Sequence, residues 1–360
     1  MHRFSRSSFI RFGLLTLCTV LATPIYERVK AGNKSEPMVK ASRLKTLSKG
    51  YNLERLSLKH KFTDGDYPEE ILQQYKALGL TYTRIPVRLS DLNTGSLAGL
   101  DALIQRHIKI GLGVSICPSN LPDEIYSNSS VLAKVLAFSK ALATHLSSTD
   151  PEKVFLEVMN EPVAPTDQIW NNVQLKLISA IRSGAPKHTI IATSNSWSSV
   201  QSLPMTQIVK DKNVVYNFHF YDPFVFTHQG ATWGWRTSKF MKDIPYPSTS
   251  AAVTPLLNSI QDAEAKSAVE NYGKENWNRA KVVNVLAPVV NWAKTNGVPI
   301  ICNEFGATWW VVPRDSWLRY LRDIREVLES YGIGWAEYFG LDMHDNEVMQ
   351  ALGLTPLPPV

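Results

Sequence analysis

From about residue 48 onward, short apolar runs alternate with segments whose apolar residues recur at helical spacing. The runs are "KGYNLE" (49–54), "YTRIPV" (82–87), "IKIGLGVSIC" (108–117), "VFLEVMNE" (154–161), "TIIATSN" (189–195), "VVYNFHFY" (214–221), "VPIICNEF" (298–305) and "IGWAEYF" (333–339). Read as strands, several are apolar throughout, which suits a parallel sheet covered on both faces. Between them, "PEEILQQYKALG", "SVLAKVLAFSKALATHL" and "DSWLRYLRDIREVLESYG" carry helical periodicity. Eight strands alternating with helices predict an α/β fold of the (β/α)8, or TIM-barrel, type. A doubly wound sheet is the alternative. It lacks support because no glycine-rich phosphate loop follows the first strand, and "GLG" at 111–113 is only a fragment of that fingerprint. The stretch 222–277 is too long for a plain loop and is expected to insert after strand six, with a helical second half, "AEAKSAVENYG". With no internal repeat or low-complexity linker, residues 32–360 read as one domain.

Composition narrows the function classes. The 44% apolar and 19% charged fractions of the 360 residues are those of a globular protein. The first 31 residues read as an export signal and leader. Arg3, Arg6 and Arg11 precede a short apolar stretch, "GLLTLCTVLA" (13–22), with Val20 and Ala22 small enough for cleavage. That stretch is well short of the roughly 20 residues of a spanning helix. A secreted or periplasmic protein without stable membrane association is expected, with an uncleaved anchor as the alternative. Leu17 before Cys18 argues against a lipoprotein. In this leader Arg3, Arg6, Arg11, Arg28 and Lys30 outweigh Glu27 by four, so the net charge of +6 falls to +2 beyond it. No dense Lys/Arg run remains, which argues against nucleic acid as a partner. Cys117 and Cys302 lie in apolar runs and are expected as buried thiols. Ten Trp are many, and some should stack on flat ligands.

In a (β/α)8 barrel the chemistry lies at the C-terminal strand ends. Polar residues interrupt the apolar runs there: Asn52 and Glu54, Arg84, Asn160 and Glu161, Asn195 and Trp197, His219 and Tyr221, Glu304, and Trp335 with Glu337. Singly, each has a structural explanation; together they converge on one mouth. Glu161 and Glu304 end strands four and seven, each preceded by Asn, on opposite sides of the barrel. Two carboxylates facing each other across a mouth are what glycoside hydrolysis needs. Asn160 can reach a sugar 2-hydroxyl, Tyr221 can donate to the attacking carboxylate, and His219 can set charge near the acid. Arg84 can lock Glu304, though a barrel-rim ion pair would explain it equally. Glu157, inside strand four, has no role in this reading. Scattered His residues without H-x-x-x-H or paired Cys spacing give no metal site, and no cofactor is implied.

"VMNEP" around Glu161, "FHFYDPFVFTHQGATW" (218–233) and "ICNEFGA" (301–307), with "KGYNLE" and "TRIPV" before them, resemble glycoside hydrolase family 5, the cellulase family, across about residues 48–340. The resemblance implies a retaining enzyme with Glu161 as acid/base and Glu304 as nucleophile, supported by Arg84, Asn160, His219 and Tyr221. It also points to Asn195, Trp197, His228, Gln229, Trp233, Trp235 and Trp335 as substrate contacts, each with an even structural alternative. Two departures stand out. "SICPSN" puts Cys117 where the family usually has a His, and in "GWAEYFGLDMHD" either Trp335 or Tyr338 could serve as the sugar platform, with Glu337 an unassigned acid. The expectation is a monomeric endo-β-1,4-glucanase acting on a β-linked polysaccharide or oligosaccharide. Mannan, xyloglucan and β-1,3-glucan are rival substrates, and a non-catalytic carbohydrate-binding barrel is the contrasting class. Sequons at Asn33 and Asn128 would matter only in a eukaryotic secretory pathway.

Overall fold

A computed structural model of the chain describes residues 39–53, 63, 65–90, 97–339 and 343–358. The expected leader, Asn33 and Glu54 lie outside the described residues. Eight parallel strands close into a barrel in chain order. They are β1 (Lys49–Asn52), β2 (Tyr82–Arg88), β3 (Gly113–Ser119), β4 (Val154–Glu157), β5 (Thr189–Thr193), β6 (Val214–Phe220), β7 (Ile300–Phe305) and β8 (Gly334–Glu337). Helix α1 (Ala41–Thr46) precedes β1, α2 (Glu69–Leu78) follows it, and α3 (Leu97–Ile110), α4 (Ser129–Leu146) and α5 (Asp167–Gly184) follow β2, β3 and β4. Helices α6 (Ala263–Glu275) and α7 (Arg279–Asn296) lie between β6 and β7, α8 (Arg314–Ser330) follows β7, and α9 (Asn346–Ala351) follows β8.

Two of the strand readings shift. The run "IKIGLGVSIC" divides: Ile108–Ile110 form the last turn of α3, Gly111 at φ 86° ends the helix, and β3 begins at Gly113. A continuous apolar run hides this break, because the buried face of a helix end and a buried strand have the same composition. Strand β4 ends at Glu157 rather than Glu161, so the pair Asn160–Glu161 stands on the loop beyond it.

The lumen is layered by the two-residue period of the strands. Tyr82, Phe155, Ile191, Val215, Ile301 and Ala336 pack with Leu47 and Val39 into an apolar plug at the N-terminal end. Gly50 belongs to this layer: a Cβ there would lie 2.5 Å from the Tyr82 ring. Helix α1 seals the floor, with Arg43 donating to Lys187 O (2.9 Å) and Thr189 Oγ1 (3.0 Å) at the start of β5. Two residues further along each strand, the lumen turns polar: Asn52, Arg84, Ser115, Glu157, Thr193, Asn217 and Asn303, all buried. The larger core lies outside the barrel, between strands and helices. The 222–277 insertion joins it through buried Met241, Ile244, Tyr246 and Val253.

Candidate active site

The polar layer is built around Arg84. Its Nε donates to both oxygens of Glu157 (2.9 and 3.0 Å), Nη1 to Asn52 Oδ1 (3.1 Å) and to Glu304 Oε1, and Nη2 to Cys117 Sγ (3.0 Å) and Asn160 Oδ1 (2.8 Å). Every N–H of the guanidinium is thus directed at a partner on a different strand or strand end, which fixes its plane. Glu157 also accepts from Ser115 Oγ (2.6 Å) and Asn303 Nδ2 (3.0 Å). Burial opposes its charge, but Arg84 and the hydroxyl of Ser115 outweigh that and hold its pKa below the ordinary carboxylate value. Glu157 is therefore the counter-ion that lets an arginine stand inside the barrel. That ion pair is what the sequence reading missed. Its signal was present: a charge two residues after Phe155, on the lumen face of an apolar strand.

Glu304 owes its direction to a β-bulge. In the β6–β7 ladder Phe218 pairs with Cys302, but His219 pairs with Glu304. The extra residue lets Asn303 point to Glu157 while its neighbour Glu304 also turns to the mouth; strict alternation would send one of them outward. Glu304 Oε2 accepts from Tyr221 Oη (2.8 Å) and lies 3.4 Å from His219 Nδ1. Burial and the adjacent Glu304 charge raise the Tyr221 pKa well above its ordinary value, so it remains a donor. Gly306 follows so closely under β8 that a Cβ there would lie 1.9 Å from Tyr338 O.

Glu161 arrives differently. Beyond β4, Asn160 N donates to Pro118 O (2.7 Å), and Glu161 itself has φ 39°, turning its side chain back over the mouth. His219 Nδ1 donates to Glu161 Oε1 (2.9 Å). One oxygen of Glu161, one of Glu304 and a His219 nitrogen all lie within 4.8 Å of one another. Glu161 keeps 28% of its side chain exposed against 8% for Glu304, so the first faces the opening and the second the wall. Beside them Asn52, Leu53, Arg84, Pro86, Cys117, Asn120 and Tyr338 line a cleft of about 230 Å³.

The outer candidates separate into three groups. Asn195, Gln229 and Trp335 are corrected to structural roles. Asn195 is buried and clamps the loop carrying Glu161, accepting from Ala164 N (2.9 Å) and donating to Ala164 O (3.1 Å). Gln229 is fully buried and ties Phe226 O, Ile244 O and Ile244 N together. Trp335 is fully buried on the outer face of β8, edge-on to Phe305, because alternation turns it away from the lumen. His228 stands behind the site, stacked on Phe224 (3.7 Å) and edge-on to Tyr221 (5.1 Å); burial lowers its pKa to about 4. Trp235 packs against the core. Trp197 and Trp233 are half exposed, at 53% and 48%, and present ring surface to solvent. Trp197 follows Glu161 in space, donating from its backbone to Pro162 O (3.0 Å).

Cys117 is a neutral thiol, since burial raises its pKa well above the ordinary value, and it receives a hydrogen bond where it lines the cleft. Glu337 ends β8 buried, and its carbonyl accepts from Asn52 (3.1 Å). Trp309, Trp310 and Phe339 were not foreseen. The two Trp follow β7 and are half exposed, and Phe339, at φ 90°, packs against Tyr221 (6.2 Å). "TWW" after "NEFGA" was the sign of the two Trp in the sequence, and Phe339 closes the run "IGWAEYF".

Comparison with known proteins places this geometry. The family model for cellulase, glycosyl hydrolase family 5, matches residues 45–338. Endoglucanase 3 of Fibrobacter succinogenes is 32% identical over 208 residues, covering 55% of this chain and 31% of that protein. Endoglucanase C of Acetivibrio thermocellus is 26% identical over 185 residues, covering 51% and 53%. The chain thus spans about a third to a half of the length of these curated relatives. The endoglucanase Cel5A of Thermotoga maritima superposes with a TM-score of 0.71 at 22% identity, over 88% of this chain and all of that one. Structures of that protein in complex with cellobiose and with mannotriose are similar as well.

Proposed function

This chain belongs to glycosyl hydrolase family 5, the cellulase family, and from that premise we propose that it is a retaining hydrolase of β-linked glucans, acting within β-1,4-glucan chains. The observation that carries the mechanism is the approach of Glu161 and Glu304, whose oxygens come within 4.8 Å. Retaining glycosidases hold their carboxyl groups about 5–5.5 Å apart, whereas inverting ones leave roughly 6.5–9.5 Å for a water.

In the proposed reaction, a Glu304 oxygen attacks the anomeric carbon as the glycosidic C–O bond breaks. Glu161 gives its proton to the departing oxygen, so a glycosyl ester on Glu304 and a free sugar hydroxyl result. Glu161 then takes a proton from water, whose oxygen attacks the same carbon and releases Glu304. Arg84 and Tyr221 orient the nucleophile from two directions, and His219 positions the acid. Asn160, held by Arg84, sits where a sugar 2-hydroxyl would pass.

Glu304→Gln and Glu161→Gln should each lower kcat on a soluble β-glucan by at least about 10²–10⁴-fold, with unfolding midpoints near wild type. A 2-deoxy-2-fluoroglycoside should leave its sugar on Glu304, seen by peptide mass spectrometry; a label on any other residue sinks the assignment. The preference for β-1,4-glucan rests on the endoglucanase relatives, and the mannotriose complex of the Thermotoga protein makes mannan the rival. Product profiles over cellulosic, mixed-linkage, xyloglucan and mannan substrates decide between them.

A further inference from the structure

We propose that a left-handed turn after β5, residues 196–198, is the brace that aims the acid/base Glu161, with Thr193 and Ser198 as positioning residues for its proton transfer. The inference deepens the proposed function and rests on it for the role of Glu161.

Ser196, Trp197 and Ser198 stand at φ 55°, 59° and 55°. The left-handed region crowds an L side chain against the following carbonyl, so single residues visit it and runs of non-glycine residues are rare. Strain of this kind persists only where the surroundings impose it, and it gathers at sites that need a fixed geometry. Here the surroundings are the acid and its partner. Ser194 Oγ donates to Ser199 O (2.9 Å) and Ser199 N to Asn195 O (3.1 Å), closing the turn on itself. From within the turn, Trp197 N donates to Pro162 O (3.0 Å), the carbonyl of the residue after Glu161. Ser199 then forms a parallel bridge with His219, whose Nδ1 donates to Glu161 Oε1 (2.9 Å). The turn therefore grips the backbone of the acid's loop and the backbone of the acid's hydrogen-bond partner at once.

The other end of this arrangement reaches the nucleophile's strand. Asn303 N, one residue before Glu304, donates to Asn217 Oδ1 (3.1 Å). Asn217 Nδ2 donates to Thr193 Oγ1 (3.2 Å), and Thr193 Oγ1 to Ser198 Oγ (2.8 Å). Asn217, Thr193 and Ser198 are all buried, and the bond changes at the anomeric carbon do not use them. A chain of hydrogen bonds thus runs from the β7 bulge, across β6 and β5, to the turn beside Glu161. Glu304 is held by the side chains of Arg84 and Tyr221. Glu161, at φ 39° on the loop beyond β4, depends instead on the backbone that carries it. The buried hydroxyl pair ties that backbone to β7 and so sets the gap between the two carboxylates. A misplacement of about 1 Å at such a site can cost on the order of 10²-fold in rate.

The test uses three variants: Thr193→Val keeps the shape and removes the hydroxyl, Ser198→Ala removes its acceptor, and Thr193→Ser keeps the hydroxyl. Unfolding midpoints are measured beside kcat/KM on phenyl and dinitrophenyl β-cellobioside. Both values of kcat/KM report formation of the glycosyl ester on Glu304. Dinitrophenolate departs without a proton, whereas phenolate needs the one from Glu161. In Thr193→Val and Ser198→Ala, kcat/KM on the phenyl glycoside should fall about tenfold or more, with the dinitrophenyl value within about twofold of wild type. Thr193→Ser should restore both toward wild type. The double variant Thr193→Val/Ser198→Ala should lose no more than the worse single variant, because the same bond is removed each time. If Thr193→Val does not fold, Ser198→Ala carries the comparison. Equal losses on the two glycosides, or no loss on either, overturn the positioning role and leave the turn a structural element only. A wild type inactive on both glycosides overturns the proposed function itself, and the positioning role falls with it.

Discussion

At the scale of single residues, the decisive contact is between Arg84 and Glu157. A buried ion pair adds little when complete, but removing one partner strands the other charge and costs about 3–5 kcal/mol. Glu157→Ala should therefore destabilise the protein by that order in urea unfolding. It should also lower kcat far more than it changes KM, because Arg84 loses the brace that aims it at Glu304. Glu157→Gln keeps Nε–H acceptance and should recover part of both losses; turnover at the wild-type level in the Ala variant would show that Arg84 is held without it. Tyr221→Phe removes one donor to Glu304 and leaves the ring packing against Phe339. Its expected signature is a lower kcat at nearly unchanged stability, read from kinetics beside thermal melts.

At the scale of elements, the site depends on how strands end. β4 stops at Glu157, and the loop that carries Glu161 is fastened by Asn160 N to Pro118 O and by the Asn195 clamp on Ala164. β7 bulges so that consecutive residues both face inward. Asn195 looks like a binding residue in sequence because it stands at a strand end, and Gln229 because it lies in the segment that resembles the family. Here they satisfy backbone groups of loops that would otherwise be buried without partners. Gln229→Ala leaves Phe226 O, Ile244 O and Ile244 N without that amide, so a loss of about 2–4 kcal/mol is expected. If it supplied a sugar contact instead, KM would rise with stability intact.

At the scale of the whole molecule, three buried histidines contribute to the acid response in the same direction. His107, whose Nδ1 donates to Leu103 O (2.7 Å) and whose Nε2 accepts from Thr83 Oγ1 (2.8 Å), bridges α3 to β2 in its neutral form. Burial lowers the pKa of His107, His188 and His228 to about 4. Between the ordinary value near 6.5 and 4 the unfolded chain binds protons that the folded chain refuses, so stability falls as pH drops through that window. For His107 alone the loss by pH 4.5 is about 2–3 kcal/mol. Glu157, held below its ordinary pKa, adds its own loss only at lower pH, below about 4.5. Chemical denaturation at pH 7, 6, 5 and 4.5 should show the decline starting near 6.5, and His107→Gln should flatten it. A curve flat down to pH 5 would contradict the burial argument.

The alternation of apolar runs and helical periods determined the barrel, because covered parallel strands and amphipathic helices leave different periods in the chain. Polar residues at the ends of those runs marked the mouth, and Glu161, Glu304, Arg84, His219 and Tyr221 do stand together there. What one dimension could not carry is direction. Whether Trp335 faces the lumen or the helices depends on register, and Glu304 points inward only through a bulge that no local propensity announces. Nor could it say that Glu157, two residues past Phe155, would meet Arg84 from another strand, or that Trp310 and Trp233 would meet. Such pairings join residues tens of positions apart, and only closure of the barrel brings them within reach.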